Sequence, residues 1–491
     1  MKSEAIRFFA GQAWVQGEWA FDVLLEVDAT GHWSKVQTNT HEDQRQGARD
    51  LSGPVLPGVV NAHSHAFQRA ITGLTERQTS PGSRAAGRSA QVKKEPAKRA
   101  GDTEQSAQPP ELLASADNFW TWRDRMYTVA NRISPGQLEI IATHLYGELL
   151  QGGYTQVCEF QYLHNDLDGK PYTDPAEMSL ALVRAAQRTG IGLTLLPTLY
   201  MRSGFAATGL RADQRRFAST PESIVRIVES VQRQTKNDPR INVGVALHSL
   251  RAVPAAALNE LAEYAKTKNL PIHIHIAGQT QEVDDCLAHT GQRPIEWLLN
   301  HAAVNARWNL VHATHTTNQE LGGIAQAGAS IVMCPSTEAN LGDGVFDLPG
   351  YAAVQGRWSI GSDSQVTRSW AEELRLLEYS QRLTLRQRNV AALALGHTST
   401  AAALLQAALA GGSSAAGCAL GGIAVGQRAD FVMLDGHAAA LQGIPYDYLL
   451  DAMVFSTPGS LLIAPHVAGR LVSELDFAPF CTVMQTLCSW H

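Results

Sequence analysis

Leu56-Pro57-Gly58-Val59-Val60-Asn61-Ala62-His63-Ser64-His65 is an apolar, β-rich run that ends in His-x-His. Successive side chains of a strand point to opposite faces, so His63 and His65 aim two imidazoles to the same side. Imidazole suits zinc and other first-row divalent metals. Alone, the pair is an ordinary feature of a strand. Its meaning depends on whether the rest of the chain brings further ligands to the same place.

Downstream, apolar runs alternate with amphipathic stretches. Strands are expected at 155–160, 192–197, 242–246, 272–276, 309–312, 330–333 and 359–361. Helical stretches such as 136–151, 177–189, 221–235, 254–267 and 281–289 lie between them. This alternation predicts a parallel sheet, and with 59–61 the strands number eight, which suits an α/β fold of the (β/α)8 TIM-like barrel type. A doubly wound open sheet is the competing arrangement, but no Gly-x-Gly-x-x-Gly follows any strand.

The two ends of the chain read differently. Short strands fill 4–55, and turn-bounded strands recur over 421–435 and 467–472. Both termini are therefore expected to build one small β-sandwich, 1–55 with 405–491, around a barrel at 56–404. Residues 77–117 carry almost no bulky apolar side chain and read as a disordered insertion with a solvated basic cluster.

Composition narrows the function. The chain has 491 residues, 44% hydrophobic and 18% charged, ordinary values for a globular protein. A net charge of −6 leaves no electrostatic footprint for nucleic acid and no polybasic membrane patch. No apolar run reaches the roughly 20 residues that span a bilayer. Residues 1–7 lack the apolar core of a signal peptide, and the six cysteines show no metal-type spacing. A cytoplasmic protein with reduced thiols is expected.

Barrel chemistry sits where strands end. The first strand ends in His63 and His65, the fourth in Leu247-His248-Ser249-Leu250-Arg251, and the fifth carries His273 and His275. The sixth ends in His312-Ala313-Thr314-His315 and the eighth in Ser362-Asp363-Ser364. So many polar strand ends converging on one mouth predict a metal site. His63, His65, His275 and Asp363 are the expected ligands, three imidazoles and a carboxylate. No lysine ends the fourth strand to bridge a second ion, so one metal is expected. His312 is placed to stabilise developing charge, and Asp363 to act as ligand and general base. His273 is expected in a second layer behind His275.

These residues, with Pro57-Gly58 and the terminal strands, resemble the amidohydrolase superfamily. A closer resemblance covers nearly the whole chain outside 77–117. It rests on His63–Arg69, Phe119-Trp120-Thr121-Trp122-Arg123, His248–Arg251, Val311–His315 and the string Ser336-Thr337-Glu338-Ala339-Asn340-Leu341-Gly342-Asp343-Gly344, which are similar to formimidoylglutamate deiminases. The resemblance implies hydrolysis of N-formimidoyl-L-glutamate to N-formyl-L-glutamate and ammonia, in histidine degradation. It also implies one zinc ion, or another divalent metal in its place, and a homodimer. It assigns Gln68, Arg123, Tyr162, His248 and Arg251 to a small dicarboxylate substrate. Two arginine forks match two carboxylates.

One position departs from the pattern. The superfamily's deaminases carry a proton-shuttling glutamate three residues after the fifth-strand histidine; here that residue is Gly278. Gln365 stands where the family usually has histidine, and Leu247 where it has proline. Three readings follow: a deiminase working through Asp363, His312 and water; one in which Glu282, a helical turn on, substitutes; or a non-catalytic binder of the same ligand. A deaminase of another amidine or guanidine substrate is the remaining alternative.

Overall fold

The computed structural model describes residues 6–77, 117–457, 459–472 and 476–488; the expected insertion at 77–117 lies outside them except for its two end residues. β1 (Ile6–Val15) and β2 (Glu18–Val27) pair antiparallel across a two-residue turn. Gln16 and Gly17 take φ of 51° and 94°, the left-handed pair that matches the twist of a tight hairpin. β3 (Trp33–Gln37), β4 (Arg49–Leu51) and β5 (Val55–Pro57) extend the sheet. The chain then enters the barrel through β6 (Val59–Ser64), β7 (Tyr154–Gln161), β8 (Gly192–Leu199), β9 (Ile241–Val243) and β10 (Val245–Ser249). β11 (Ile272–Ile276), β12 (Trp308–His312), β13 (Ser330–Met333) and β14 (Arg357–Ile360) complete it. β15 (Phe431–Leu434), β16 (Leu462–Val467) and β17 (Arg470–Leu471) return to the first sheet.

That first sheet runs β17-β16-β15-β5-β1-β2-β3, with β4 on β1. It curls until its edge meets the segment before β15. Trp33 N donates to Gln427 O, Gly426 N donates to Trp33 O, and the Phe8 and Trp33 rings both pack on Phe431. The result is a sandwich-like unit from both termini with an apolar core of its own.

The second sheet follows β6-β7-β8-β10-β11-β12-β13-β14, with β9 added to β8, and its pairings are parallel. The expected strand at 242–246 is divided. At Gly244 a Cβ would lie 2.7 Å from Pro271 O, and its N–H bonds Leu195 O, so the chain steps inward there before β10 begins. β14 meets β6 through the backbone of the expected ligands themselves. Asp363 N donates to His63 O at 3.0 Å and His65 N to Asp363 O at 3.2 Å. Gly361 permits this approach, since a Cβ there would lie 2.7 Å from His63 N.

The floor of the barrel is plugged by the end of the Thr400–Ala416 helix. Its last carbonyls lack partners within the helix. Thr194 and Asn242 donate to Ala416 O, and His273 Nε2 donates to Ala415 O at 2.9 Å. His273 thus lies one layer below His275, as expected, and its task there is to cap a helix.

Candidate active site

Four side chains meet at the mouth. Ligands about 2.1 Å from a tetrahedral ion stand about 3.4 Å from one another. His63 Nε2 lies 3.0 Å from His275 Nε2 and 3.5 Å from Asp363 Oδ1, and His65 Nε2 lies 3.3 Å from the same oxygen. The far nitrogens of two imidazoles are anchored: His65 Nδ1 donates to Phe160 O and His275 Nδ1 to His248 O, both at 2.9 Å. Such anchoring fixes the tautomer and turns the other lone pair to the common point. Burial drives the His63 imidazole down to about 3 and lowers His65 and His275 as well, so all three are neutral donors. Burial alone would raise Asp363, but the hydrogen bond from His63 and the nearby imidazoles, cationic His312 among them, hold it well below the usual carboxylate range. The donor set fits one divalent cation.

The strand ends are bent to make this cage. Ala277, His312, Ala313, Asp363 and Gln365 all have positive φ, between 45° and 71°, although none is glycine. Local strain of this kind persists only where the surroundings enforce it. Beneath the cage, Asn61 Nδ2 donates to Ser362 Oγ, Ser362 Oγ to Gln365 Oε1, and Gln365 Nε2 to Ser64 Oγ. Ser64 Oγ and Ala66 N donate to the buried carboxylate of Glu159. Gln365 thus ties β6 to the end of β14 at the position where the resemblance leads one to expect histidine.

His312 lies beside the cage. Its Nδ1 donates to Glu338 Oε1 at 3.3 Å, and its Nε2 lies 3.8 Å from Asp363 Oδ2. Burial opposes its charge, yet the Glu338 bond and the nearby Asp363 and Asp343 lift it to about 9. Asp343 accepts from Gln279 Nε2 and is pushed by burial to about 7. The His312 ring closes over position 278: a Cβ on Gly278 would lie 3.0 Å from His312 Cδ2. Any side chain there requires the ring to give way.

All five expected substrate residues line one cavity of about 680 Å³ that also reaches His65, His275, His312 and Asp363. Gln68 Nε2 donates to Tyr162 Oη at 3.1 Å. At the far end, Arg123 and Arg251 both lie against Trp120, at 4.5 and 5.5 Å from the ring centroid. Among the described residues, Arg123 Nε is buried without a partner, and the one carboxylate beside this arginine is the exposed Asp124 at 3.6 Å. Among the described residues no carboxylate pairs with Arg251, which is 8% exposed. Burial, then the charge of Arg251, hold His248 well below its ordinary value. The cavity therefore has a cationic end and, toward the cage, an acidic end.

Sequence reasoning gave Glu338, Asp343 and Tyr127 no role. The first two stand in the quoted string Ser336–Gly344, so their signal was on the page without a geometry to read it. Tyr127 lines the cavity from the Phe119–Ala130 helix and is held by Gln214 and Tyr200.

Residues 55–472 match the amidohydrolase family. The chain belongs to the amidohydrolase family. It is a hydrolase acting on carbon–nitrogen bonds. A formimidoylglutamate deiminase of Pseudomonas aeruginosa is 42% identical over 469 residues, covering 94% of each chain. An amidohydrolase from Brucella melitensis, solved by crystallography, superposes with a TM-score of 0.83 at 37% identity, over 98% of each chain. A zinc-bound adenosine deaminase from Xanthomonas campestris, with a TM-score of 0.74 over 99% of this chain and 98% of its own, is 21% identical and shares the fold. No helix among the described residues is long and apolar enough to cross a membrane.

Proposed function

We propose that this family member deiminates N-formimidoyl-L-glutamate to N-formyl-L-glutamate and ammonia, with one zinc ion at His63, His65, His275 and Asp363. One observation carries the choice of substrate: two guanidiniums that, among the described residues, pair with no buried carboxylate at one end of a cavity, and a cage walled by acids at the other. Two carboxylates complete the first end, as bidentate pairs with Arg123 and Arg251. The formimino group, an amidinium at neutral pH, suits the acidic end. A divalent ion supplies Lewis acidity and makes water nucleophilic near neutral pH. His312, cationic beside Glu338, stabilises negative charge on the attacking oxygen. His248, neutral, donates a hydrogen bond to the ligand, and Gln68 and Tyr162 orient it. Asp363 holds its place through His63 and His65 and, as general base, accepts the second proton of the reacting water, that of the new hydroxyl.

The two arginines weigh against a neutral heterocyclic substrate, which needs no carboxylate partners. Gly278 favours a second reading, a binder of the same ligand that does not turn it over. We further infer a cytoplasmic enzyme, in keeping with its cysteines, all free thiols, and a homodimer by resemblance to its relatives. The test is ammonia release from N-formimidoyl-L-glutamate by the zinc-loaded protein, with the organic product identified by mass. Turnover with N-formyl-L-glutamate as product is expected. A protein that binds zinc and ligand but releases no ammonia would establish the second reading.

A further inference from the structure

Hydrolysis of an amidine needs a group that carries a proton from water to the departing nitrogen. Gly278 has no side chain to do so. Asp363 is committed to His63 and His65, His312 to Glu338, and Asp343 to Gln279. One acid of the cavity keeps a buried oxygen unpaired. Glu282 sits in the first turn of the Thr280–Thr290 helix, which begins directly beyond Gly278. It lines the same cavity as Gly278, His312, Asp343 and Asp363. It is 5% exposed, and its Oε1 has no hydrogen-bond partner. Its carboxyl reaches back toward the amides of Gly278 and Ala277.

We propose that Glu282 is the proton carrier of this site, taking a proton from the attacking water and delivering it to the leaving nitrogen. The inference rests on the deiminase reading. The oxygen of water bonds to the formimino carbon while the C=N π pair moves to nitrogen, and the water proton passes to the Glu282 carboxylate. The C–N bond then breaks with its pair on nitrogen, which receives the proton from Glu282. The hydroxyl proton of the new formamide follows to ammonia, leaving as ammonium. Burial raises the Glu282 carboxyl above the usual range, although Arg251, His312 and the two amides pull the other way, and a raised carboxyl is the better proton acceptor.

The bland alternative is a helix cap. A glutamate at this position often satisfies free amides of a helix start, and one oxygen of Glu282 faces those of Gly278 and Ala277, while Oε1 stays free for the cavity. Two measurements separate the roles. In the zinc-loaded enzyme, E282Q should lower kcat by about 10²–10⁴-fold with KM within threefold, and should remove one limb of the pH–kcat profile. E282D should restore part of kcat. A cap would instead shift the melting temperature and leave the pH profile in place, and a loss of kcat under tenfold in E282Q would overturn the proposal. The second measurement needs no turnover. Difference infrared spectra of the wild type against E282Q should show one carboxylic acid band that titrates with pH. If the wild type releases no ammonia the deiminase reading falls. The titrating band then still supports Glu282 as the free acid of the site, and its absence overturns that.

Discussion

The two ends of the cavity are built on opposite principles. At the cage, all but His63 Nδ1 of the groups around the common point are committed: His65 and His275 to backbone carbonyls, His312 to Glu338, and Gln365 to Ser64 and Ser362. At the far end the guanidiniums of Arg123 and Arg251 rest on Trp120 with no ion pair to a buried carboxylate among the described residues. A committed network is preorganised and costs little rearrangement when charge develops. An unpaired buried cation is costly until an anion joins it. The contrast teaches which end does chemistry and which end chooses the ligand.

The comparison can be broken from either side. Asp363→Asn should have the largest effect. It removes the anion of the cage, so bound zinc, measured by atomic absorption, should drop from one per chain, and ammonia release should fall by more than about 10³-fold. Arg251→Met should act at the other end. We expect the affinity for the dicarboxylate to fall by about 10–100-fold, the value of a charged hydrogen-bonded pair, with kcat changed much less. An analogue lacking one carboxylate should lose correspondingly less on the same substitution. If kcat and not KM falls, the arginine end is part of the chemistry and the contrast fails.

Smaller effects sharpen the picture. Glu338→Gln should bring the His312 titration in the zinc-free protein down from about 9 toward its ordinary value, read by NMR of its ring protons. The sign for stability follows. A histidine whose folded value is raised stabilises the fold fully below its unfolded value and loses that contribution as pH rises through about 9. The variant should lose this dependence. Gly278→Glu should fail to raise kcat. Its Cβ presses on His312 Cδ2, a ring the reaction needs in place. A large gain would show that position 278 is an empty catalytic place after all.

The chain declares part of this by itself. His63-Ser64-His65, His275, His312 and Asp363 stand at the ends of apolar runs, and strand ends point to one mouth in a barrel. Local periodicity was enough to read them. The curl that brings Trp33 to Phe431 and the break at Gly244 were not legible, because both depend on contacts with segments far away in the chain. The same holds for His273, whose partner is a helix end more than a hundred residues on. Glu338 and Asp343 lie in a helix and the turn after it, where no strand alternation marks direction. Their role emerges only when His312 is seen to face them.

The most direct test of the two-ended cavity is a crystal structure of the zinc-loaded protein with N-formyl-L-glutamate bound. The account predicts both carboxylates within hydrogen-bond distance of Arg123 and Arg251 and the formyl group turned to the cage beside His312 and Glu282. A carboxylate seated in the cage, with the formyl group against Trp120, would contradict it.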